Sequence, residues 1–210
     1  MSKKINTIIF DLGAVLIDWN PRYVFTKIFD TEEKMQWFFE NICTGEWNEK
    51  QDAGRSLKEA TEELLLIHPE YESEVRAYYD RWEEMLAGPI HKTVAILRHL
   101  KNSKEYKLYA LTNWSAETFP VAIQRYDFLQ WFDGIVMSGE ERTRKPFADI
   151  YNILLSRFEV DPSEAIFIDD SLRNIKGGED VGIKGIHFQS PQQLAQALKE
   201  EGIISMRYEV

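Results

Sequence analysis

Four short polar clusters follow or flank apolar runs in this chain. They are Asp11-Leu12-Gly13-Ala14-Val15, Thr112-Asn113-Trp114-Ser115, Arg144-Lys145-Pro146 and Asp169-Asp170. Three of their side chains, Asp11, Asp169 and Asp170, are carboxylates, which repel one another unless a cation lies between them. No cysteine or histidine is near them in sequence, so hard oxygen donors favour Mg²⁺ over zinc. The backbone carbonyl of Gly13 can join such a set. Lys145 has the charge to neutralise an oxyanion. The Thr112 hydroxyl, with backbone amides near Leu12, Gly13 and Asn113, can hold anionic oxygens. A carboxylate nucleophile, a divalent cation, a lysine and an anion nest together suit phosphoryl transfer. Singly, each cluster reads as a turn, a helix cap or a surface bend. Their joint occurrence, in this order and on these ends, points to a site.

The elements that must position them read as α/β. Ile5–Phe10 is a short β-branched run of the kind buried on both faces of a sheet. Similar runs are Tyr106–Thr112, Gly134–Met137, Ala165–Ile168 and Lys184–Phe188, and helical patterns separate them at about 90–102, 115–126, 147–158, 172–181 and 191–200. Ser190-Pro191-Gln192-Gln193 opens the last helix with a capping-box spacing. This alternation predicts a Rossmann-like, three-layer parallel sheet whose ligands lie beyond the carboxyl ends of the strands. The stretch between the first two strands is too long for one crossover. It is read as an inserted helical cap over 17–88, with a capping box at Ser56-x-x-Glu59 and a long helix over Pro69–Leu86 closed by Gly88-Pro89. The catalytic core is then 1–16 and 89–210.

Composition bounds the function. The 210 residues are 44% hydrophobic and 29% charged, which is globular. The net charge of −10 argues against nucleic acid as a partner. Seventeen acids and eight bases lie in residues 12–89, so most of the excess sits in the insertion. No apolar run approaches the length of a membrane helix. The N-terminal Met1-Ser2-Lys3-Lys4-Ile5-Asn6 turns polar before a signal-peptide core forms, and the single cysteine, Cys43, has no internal partner. The expectation is a cytoplasmic protein acting on a small phosphorylated metabolite, with no membrane partner. The oligomeric state is left open.

At the four clusters the chain resembles the haloacid-dehalogenase-like (HAD) hydrolase superfamily. The matching motifs are Phe10-Asp11-Leu12-Gly13-Ala14-Val15, Leu111-Thr112-Asn113, Lys145-Pro146, and Phe167-Ile168-Asp169-Asp170 followed by Asn174. The likeness covers about 5–188. It places the insertion where that superfamily has its C1 cap. Between Lys145 and Asp169 there is room for one helix and one strand, and none for the other cap type. The nearest subgroup looks like the bacterial sugar-1-phosphate phosphatases, with the phosphatase domain of bifunctional epoxide hydrolases also similar. The resemblance implies that Asp11 attacks phosphorus to form an aspartyl-phosphate. It implies that Asp170, Asp11 and the Gly13 carbonyl bind Mg²⁺, with Asp169 binding directly or through water. Thr112 and Asn113 would hold the phosphoryl group, Lys145 would pair with Asp11 and the transferring group, and Asn174 would orient the network.

One position departs from the superfamily. Its phosphatases mostly carry an acid two residues after the nucleophile, and here that residue is Gly13. Asp18, at the hinge to the cap, is a substitute donor, although a hinge role fits it better. Within the cap, Gly45–Asn48 and Asp52–Arg55 are read as loops facing the site, which makes Trp47, Asp52 and Arg55 candidates for substrate selection. Trp114 is a candidate pocket wall. His68, His91, His99 and His187 are scattered and read as structural or solvated. Two other functions compete with a phosphatase: an L-2-haloacid dehalogenase, against which the Asp169-Asp170 pair argues, and a non-catalytic phosphate-binding regulator, for which Gly13 is the support.

Overall fold

The computed structural model describes residues 4–209. Residues 1–3, part of the expected core segment and of the N-terminal reading, and residue 210 lie outside the described residues. Seven strands are present: β1 (Thr7–Phe10), β2 (Ile17–Trp19), β3 (Leu86–Pro89), β4 (Lys107–Thr112), β5 (Gly134–Met137), β6 (Ala165–Asp169) and β7 (Lys184–His187). Five form a parallel sheet in the order β5-β4-β1-β6-β7. β1 is central, and all four of its residues are buried, as its unbroken apolar composition requires.

Side-chain alternation divides the strand residues between two cores. On one face Ile8, Phe10, Leu108, Ala110, Ile166 and Ile168 join the residues of α6 (His91–Ser103), α7 (Phe119–Arg125) and α11 (Pro191–Glu200). On the other, Ile9, Tyr109, Leu111 and Phe167 pack against α9 (Ala148–Arg157) and α10 (Leu172–Asp180). This is the expected three-layer α/β fold. The Ser190 cap is formed, its hydroxyl accepting from Gln193 N.

The segment between β1 and β4 differs in detail from its sequence reading. β2 and β3 pair antiparallel, Ile17 opposite Pro89 and Asp18 opposite Gly88, so both expected ends of the insertion fall in one two-stranded ribbon. Gly88 takes φ +130 within it, a backbone conformation that glycine tolerates best. The expected single helix over Pro69–Leu86 is broken: α5 spans only Glu72–Asp80, Arg81 leaves helical geometry, and Leu86 onward is committed to β2. The remaining helices here are α1 (Arg22–Phe25), α2 (Glu32–Asn41), α3 (Gly45–Asp52) and α4 (Leu57–Ile67), and α8 (Ser138–Glu141) follows β5. Thr31, Thr44 and Ser56 cap α2, α3 and α4 by accepting from Lys34 N, Trp47 N and Glu59 N. Such caps contribute about 1 kcal/mol each.

Residues 45–48 and 52, read as loop, are therefore helical, and the turn is confined to Ala53–Arg55, with Gly54 at φ +95. Helices α1, α2, α3 and α5 share an aromatic cluster. Phe25, Phe38, Phe39 and Tyr78 pack edge-on or tilted at 5.1–5.9 Å between centroids, and Trp47 crosses Tyr78 at 5.2 Å.

Candidate active site

The register of the sheet brings the polar clusters level. Phe10 pairs with Ala110 and Ile168, so Asp11, Leu111 and Asp169 emerge together at the carboxyl edge. Asp11 is fixed there by its own backbone, with its N–H on Ile168 O at 2.8 Å. Leu12 N donates to Asp11 Oδ1 at 2.7 Å, leaving Oδ2 with no hydrogen bond among the described residues.

Lys145 is completely buried and spends all three ammonium protons locally. Its Nζ is 2.8 Å from Asp11 Oδ1, 2.6 Å from Asp169 Oδ2 and 2.9 Å from Leu111 O. Burial pulls the ammonium toward neutrality, but Asp11 and Asp169 outweigh it and hold its pKa above the ordinary lysine range. Asp11 is pushed up to about 7, first by burial and then by Asp169 and Asp170, with Lys145 opposing. One lysine does not balance three acids.

Asp169 is fully buried and its oxygens are taken. Ser171 N donates to Oδ1 at 2.8 Å, and Asn174 Nδ2 lies 3.1 and 3.2 Å from the two oxygens. Asn174 is itself held by Tyr151, whose hydroxyl donates to Asn174 O at 2.6 Å. Asp170 instead projects an exposed carboxyl whose one hydrogen-bonding partner among the described residues is its own backbone N–H, while His187 Nε2 lies 2.9 Å from its carbonyl oxygen. Ligand atoms of Asp11, Asp169 and Asp170 lie within 4.8 Å of one another. Such an all-carboxylate set fits a hard divalent cation.

Thr112 ends β4 and is buried. Asn113 is turned away from the expected use of its side chain: Oδ1 accepts from Lys145 N at 2.9 Å and Nδ2 donates to Lys145 O at 3.1 Å. Its amide braces the loop that carries the lysine. Ser138 supports the same region by accepting from Trp114 N at 2.9 Å. Gly139 lies so close beneath that a Cβ would come within 2.5 Å of Ala116 N.

Beyond the carboxyl ends of β1 and β4 is a cleft open to solvent. Its core-side wall includes Gly13, Asn113 and Trp114. Its other wall carries Trp19, Asn48, Asp52, Tyr79 and Trp82. Asp52 and Trp114, both singled out in the sequence, line this cleft.

Trp47 and Arg55 are not in this wall, and their expected substrate contacts are corrected. Trp47 is buried in the aromatic cluster with Nε1 on Ala60 O at 3.2 Å. Arg55 is spent on Glu63, Gln51 Oε1 and Trp47 O. Asp18 is also outside the cleft, because strand alternation sends its neighbour Trp19 inward. Both Asp18 oxygens accept from the Tyr23 hydroxyl, at 3.1 and 2.9 Å.

Sequence reasoning missed Trp19, Asn48, Tyr79 and Trp82, and also a latch between the two units. Glu49 on α3 pairs with Arg144 at 2.5 Å and with Arg173. Leu57 N adds a bond to Glu117 Oε1 at 2.8 Å. The first of these partners, Arg144, belongs to one of the sequence clusters and the last, Glu117, follows another, but nothing local marks them as pairing with α3 or α4.

The family described as haloacid dehalogenase-like hydrolase matches residues 8–188. Sesquiterpene phosphatase astK of Aspergillus oryzae is 27% identical over 192 residues, covering 91% of this chain and 94% of that protein. Pyrophosphatase PpaX of Bacillus cereus is 24% identical over 186 residues, covering 86% and 82%. Among solved structures, a HAD-like family hydrolase from Porphyromonas gingivalis superposes with a TM-score of 0.73 at 19% identity, covering 99% and 100% of the two chains. HAD family enzyme bt-2542 of Bacteroides thetaiotaomicron, solved as a magnesium complex, gives 0.68 at 22% identity, covering 90% and 95%. At these identities the structural likeness establishes the fold.

Proposed function

The chain belongs to the haloacid dehalogenase-like hydrolase family, and from that premise we propose that it is a Mg²⁺-dependent phosphatase of a small phosphorylated metabolite, working through an aspartyl-phosphate on Asp11. The observation that carries this reading is the Lys145 ammonium joined to Asp11 and Asp169, with the unpaired Asp170 carboxyl beside them. A free carboxylate oxygen, Asp11 Oδ2, is available to attack. The two relatives named above have phosphate hydrolysis in common and differ in the group that carries the phosphate.

Asp11 and Asp170, with the Gly13 carbonyl, would hold Mg²⁺, and Asp169, whose oxygens are engaged, would contribute from behind them. When bound, the ion supplies positive charge to the transferring phosphoryl oxygens and relieves the repulsion among the acids. Everything else is done by the chain. Lys145 favours the ionised form of Asp11, orients it, and adds charge where the transition state is negative. The Thr112 hydroxyl and the backbone amides of Gly13 and Asn113 bind phosphoryl oxygens. Asn174 and Ser171 fix Asp169 so that Lys145 is fixed in turn. The helical unit between β2 and β3 is the cap, and its aromatic wall receives the leaving group. A sugar, whose C–H faces stack on indole and whose hydroxyls reach Asn48, fits this lining.

The test is turnover of 4-nitrophenyl phosphate with Mg²⁺ and its abolition by a chelator. Asp11→Asn should be inactive. Dechlorination of an L-2-chloroacid without metal would favour the dehalogenase reading, and phosphate binding without turnover would favour a regulator.

A further inference from the structure

A phosphatase of this kind has to deliver a proton to the departing oxygen and later remove one from water. Gly13 has no side chain for this, and a Cβ at Gly13 would meet nothing within 4 Å. The open space beside Gly13 belongs to the cleft. Among the described residues that line the cleft, one carries a carboxyl group, Asp52, and it comes from the opposite wall. Asp52 is the last residue of α3. Its side chain makes no hydrogen bond and no ion pair within 4 Å among the described residues, although Asn48, Tyr79 and Trp82 surround it in the same wall. The other ionisable group there, the Tyr79 hydroxyl, is engaged: it accepts from Gln51 Nε2 at 2.8 Å and donates to Asn48 Oδ1 at 3.1 Å.

We propose that Asp52 is the general acid and base of the reaction, brought from the cap to the side of the phosphoryl group that Gly13 leaves empty. This rests on the phosphatase reading above. In the first step Asp11 Oδ2 forms a bond to phosphorus while the bond from phosphorus to the leaving oxygen breaks. That oxygen keeps the electron pair and takes the proton of the Asp52 carboxyl. In the second step a water oxygen bonds to phosphorus and gives its proton to the Asp52 carboxylate. The phosphorus–Oδ2 bond breaks, and its electron pair returns to Asp11. Phosphate is released, Asp52 is again protonated and Asp11 is again ionised.

The surroundings of Asp52 suit a group that holds a proton near neutral pH. Burial raises its pKa to about 7, Glu49 on the same helix adds to the rise, and Arg144 and Lys145 across the cleft oppose it. Tyr78 and Tyr79 face it from α5, both held neutral by burial. The double ion pair of Glu49 with Arg144 and Arg173 is one turn before Asp52. The contact that seats the cap on the core therefore also seats the acid. The acid is in place when the cleft is covered and bulk water is excluded.

The proposal is tested with Asp52→Asn on three esters of rising leaving-group pKa, in Mg²⁺: 4-nitrophenyl, phenyl and 2-phenylethyl phosphate. Lost general acid catalysis costs about 10²–10⁴-fold where the leaving group needs a proton. The kcat/KM for 4-nitrophenyl phosphate, which reports the first step alone, should change by no more than about threefold and that for 2-phenylethyl phosphate should fall by about a hundredfold or more. The alkaline decline of wild-type kcat on the alkyl ester, above about pH 7, should be absent from the variant. Asp52→Glu, which keeps a carboxyl, should recover part of the loss and serves in place of Asp52→Asn if that variant does not fold. An equal loss of kcat/KM on all three esters, or no loss on any, would overturn the role of Asp52 while leaving the phosphatase reading intact. A wild-type enzyme inactive on every ester would overturn both.

Discussion

Glu49 Oε2 lies 2.5 Å from an Arg144 guanidinium nitrogen, and the two side chains are 24% and 16% exposed. The pair joins α3 to the residue just before the buried lysine, so the position of the cap and the position of Lys145 are linked through neighbouring backbone.

Glu49→Gln should therefore disturb activity more than stability. Partly exposed ion pairs contribute up to about 1 kcal/mol, and a melting temperature should fall by about 2–4 °C for each kcal/mol in a chain of this size. Misplaced reacting groups cost more, and kcat/KM should drop roughly ten- to a hundredfold. Thermal melts and steady-state kinetics on one preparation check both. An unchanged kcat/KM would disconnect the latch from catalysis.

Asp170→Ala should weaken Mg²⁺ binding by about tenfold or more with the fold retained, because Asp170 is exposed and its carboxyl is hydrogen-bonded to no other described residue. Wild-type protein should gain about 2.7 kcal/mol when Mg²⁺ is at a hundred times its Kd, and the variant should gain far less at the same concentration. Calorimetric titration and melting with and without Mg²⁺ measure this. Equal affinity in the two proteins would remove Asp170 from the metal site.

Lys145→Met should be inactive and also unstable. It leaves Asp11 and Asp169 buried without a counter-charge, and breaking such a pair costs about 3–5 kcal/mol. Urea denaturation reads the loss directly. A variant as stable as wild type would mean that the ammonium's bonds to the two carboxylates offset only its own desolvation.

The pH dependence of stability gives an independent view of Asp52. Its pKa is raised from 3.8 to about 7 in the folded protein, so the folded state holds the proton more tightly than the unfolded chain. From pH 3.8 to about 7 this group favours folding less and less as pH rises, by at most about 1.4 kcal/mol per pH unit. Asp52→Asn removes that penalty. The variant should match wild type near pH 4, exceed it increasingly toward pH 7, and keep a constant advantage above. A variant no more stable than wild type at pH 8 would contradict the raised pKa. Stability gained with activity lost is the exchange expected of a catalytic group.

The core of the site was legible because its polar residues follow buried, β-branched strands, where a break from apolar to acidic is conspicuous. Asp11 after Ile8-Ile9-Phe10 and Asp169 at the end of Ile166-Phe167-Ile168 are of this kind. The ribbon was not legible. Ile17–Trp19 is too short to display alternation, and Gly88-Pro89 carries the residues that also end helices. α3 was read as loop because Gly45 and Asn48 are poor helix formers, yet the Thr44 cap and the burial of Trp47 overrode them. The cleft wall of Trp19, Asn48, Tyr79 and Trp82 comes from three stretches distant in sequence, β2, α3 and the end of α5 with the turn that follows it, so no local pattern could announce it. Trp47 and Arg55 misled for the converse reason: a tryptophan and an arginine near a glycine look like ligand contacts until packing claims them.

The ribbon of β2 and β3 has a consequence for assembly. Asp18 sits opposite Gly88, so the chain leaves the sheet and returns to it side by side. To the five-stranded sheet, residues 20–85 are topologically the loop of a hairpin, however much structure they contain. Lengthening a closed loop costs only slowly growing entropy, about 0.6 kcal/mol per doubling. A unit tethered in this way can be enlarged, trimmed or exchanged for another without re-registering one parallel strand, so the groups on the sheet edge stay in place while those above them, Asp52 included, are open to change.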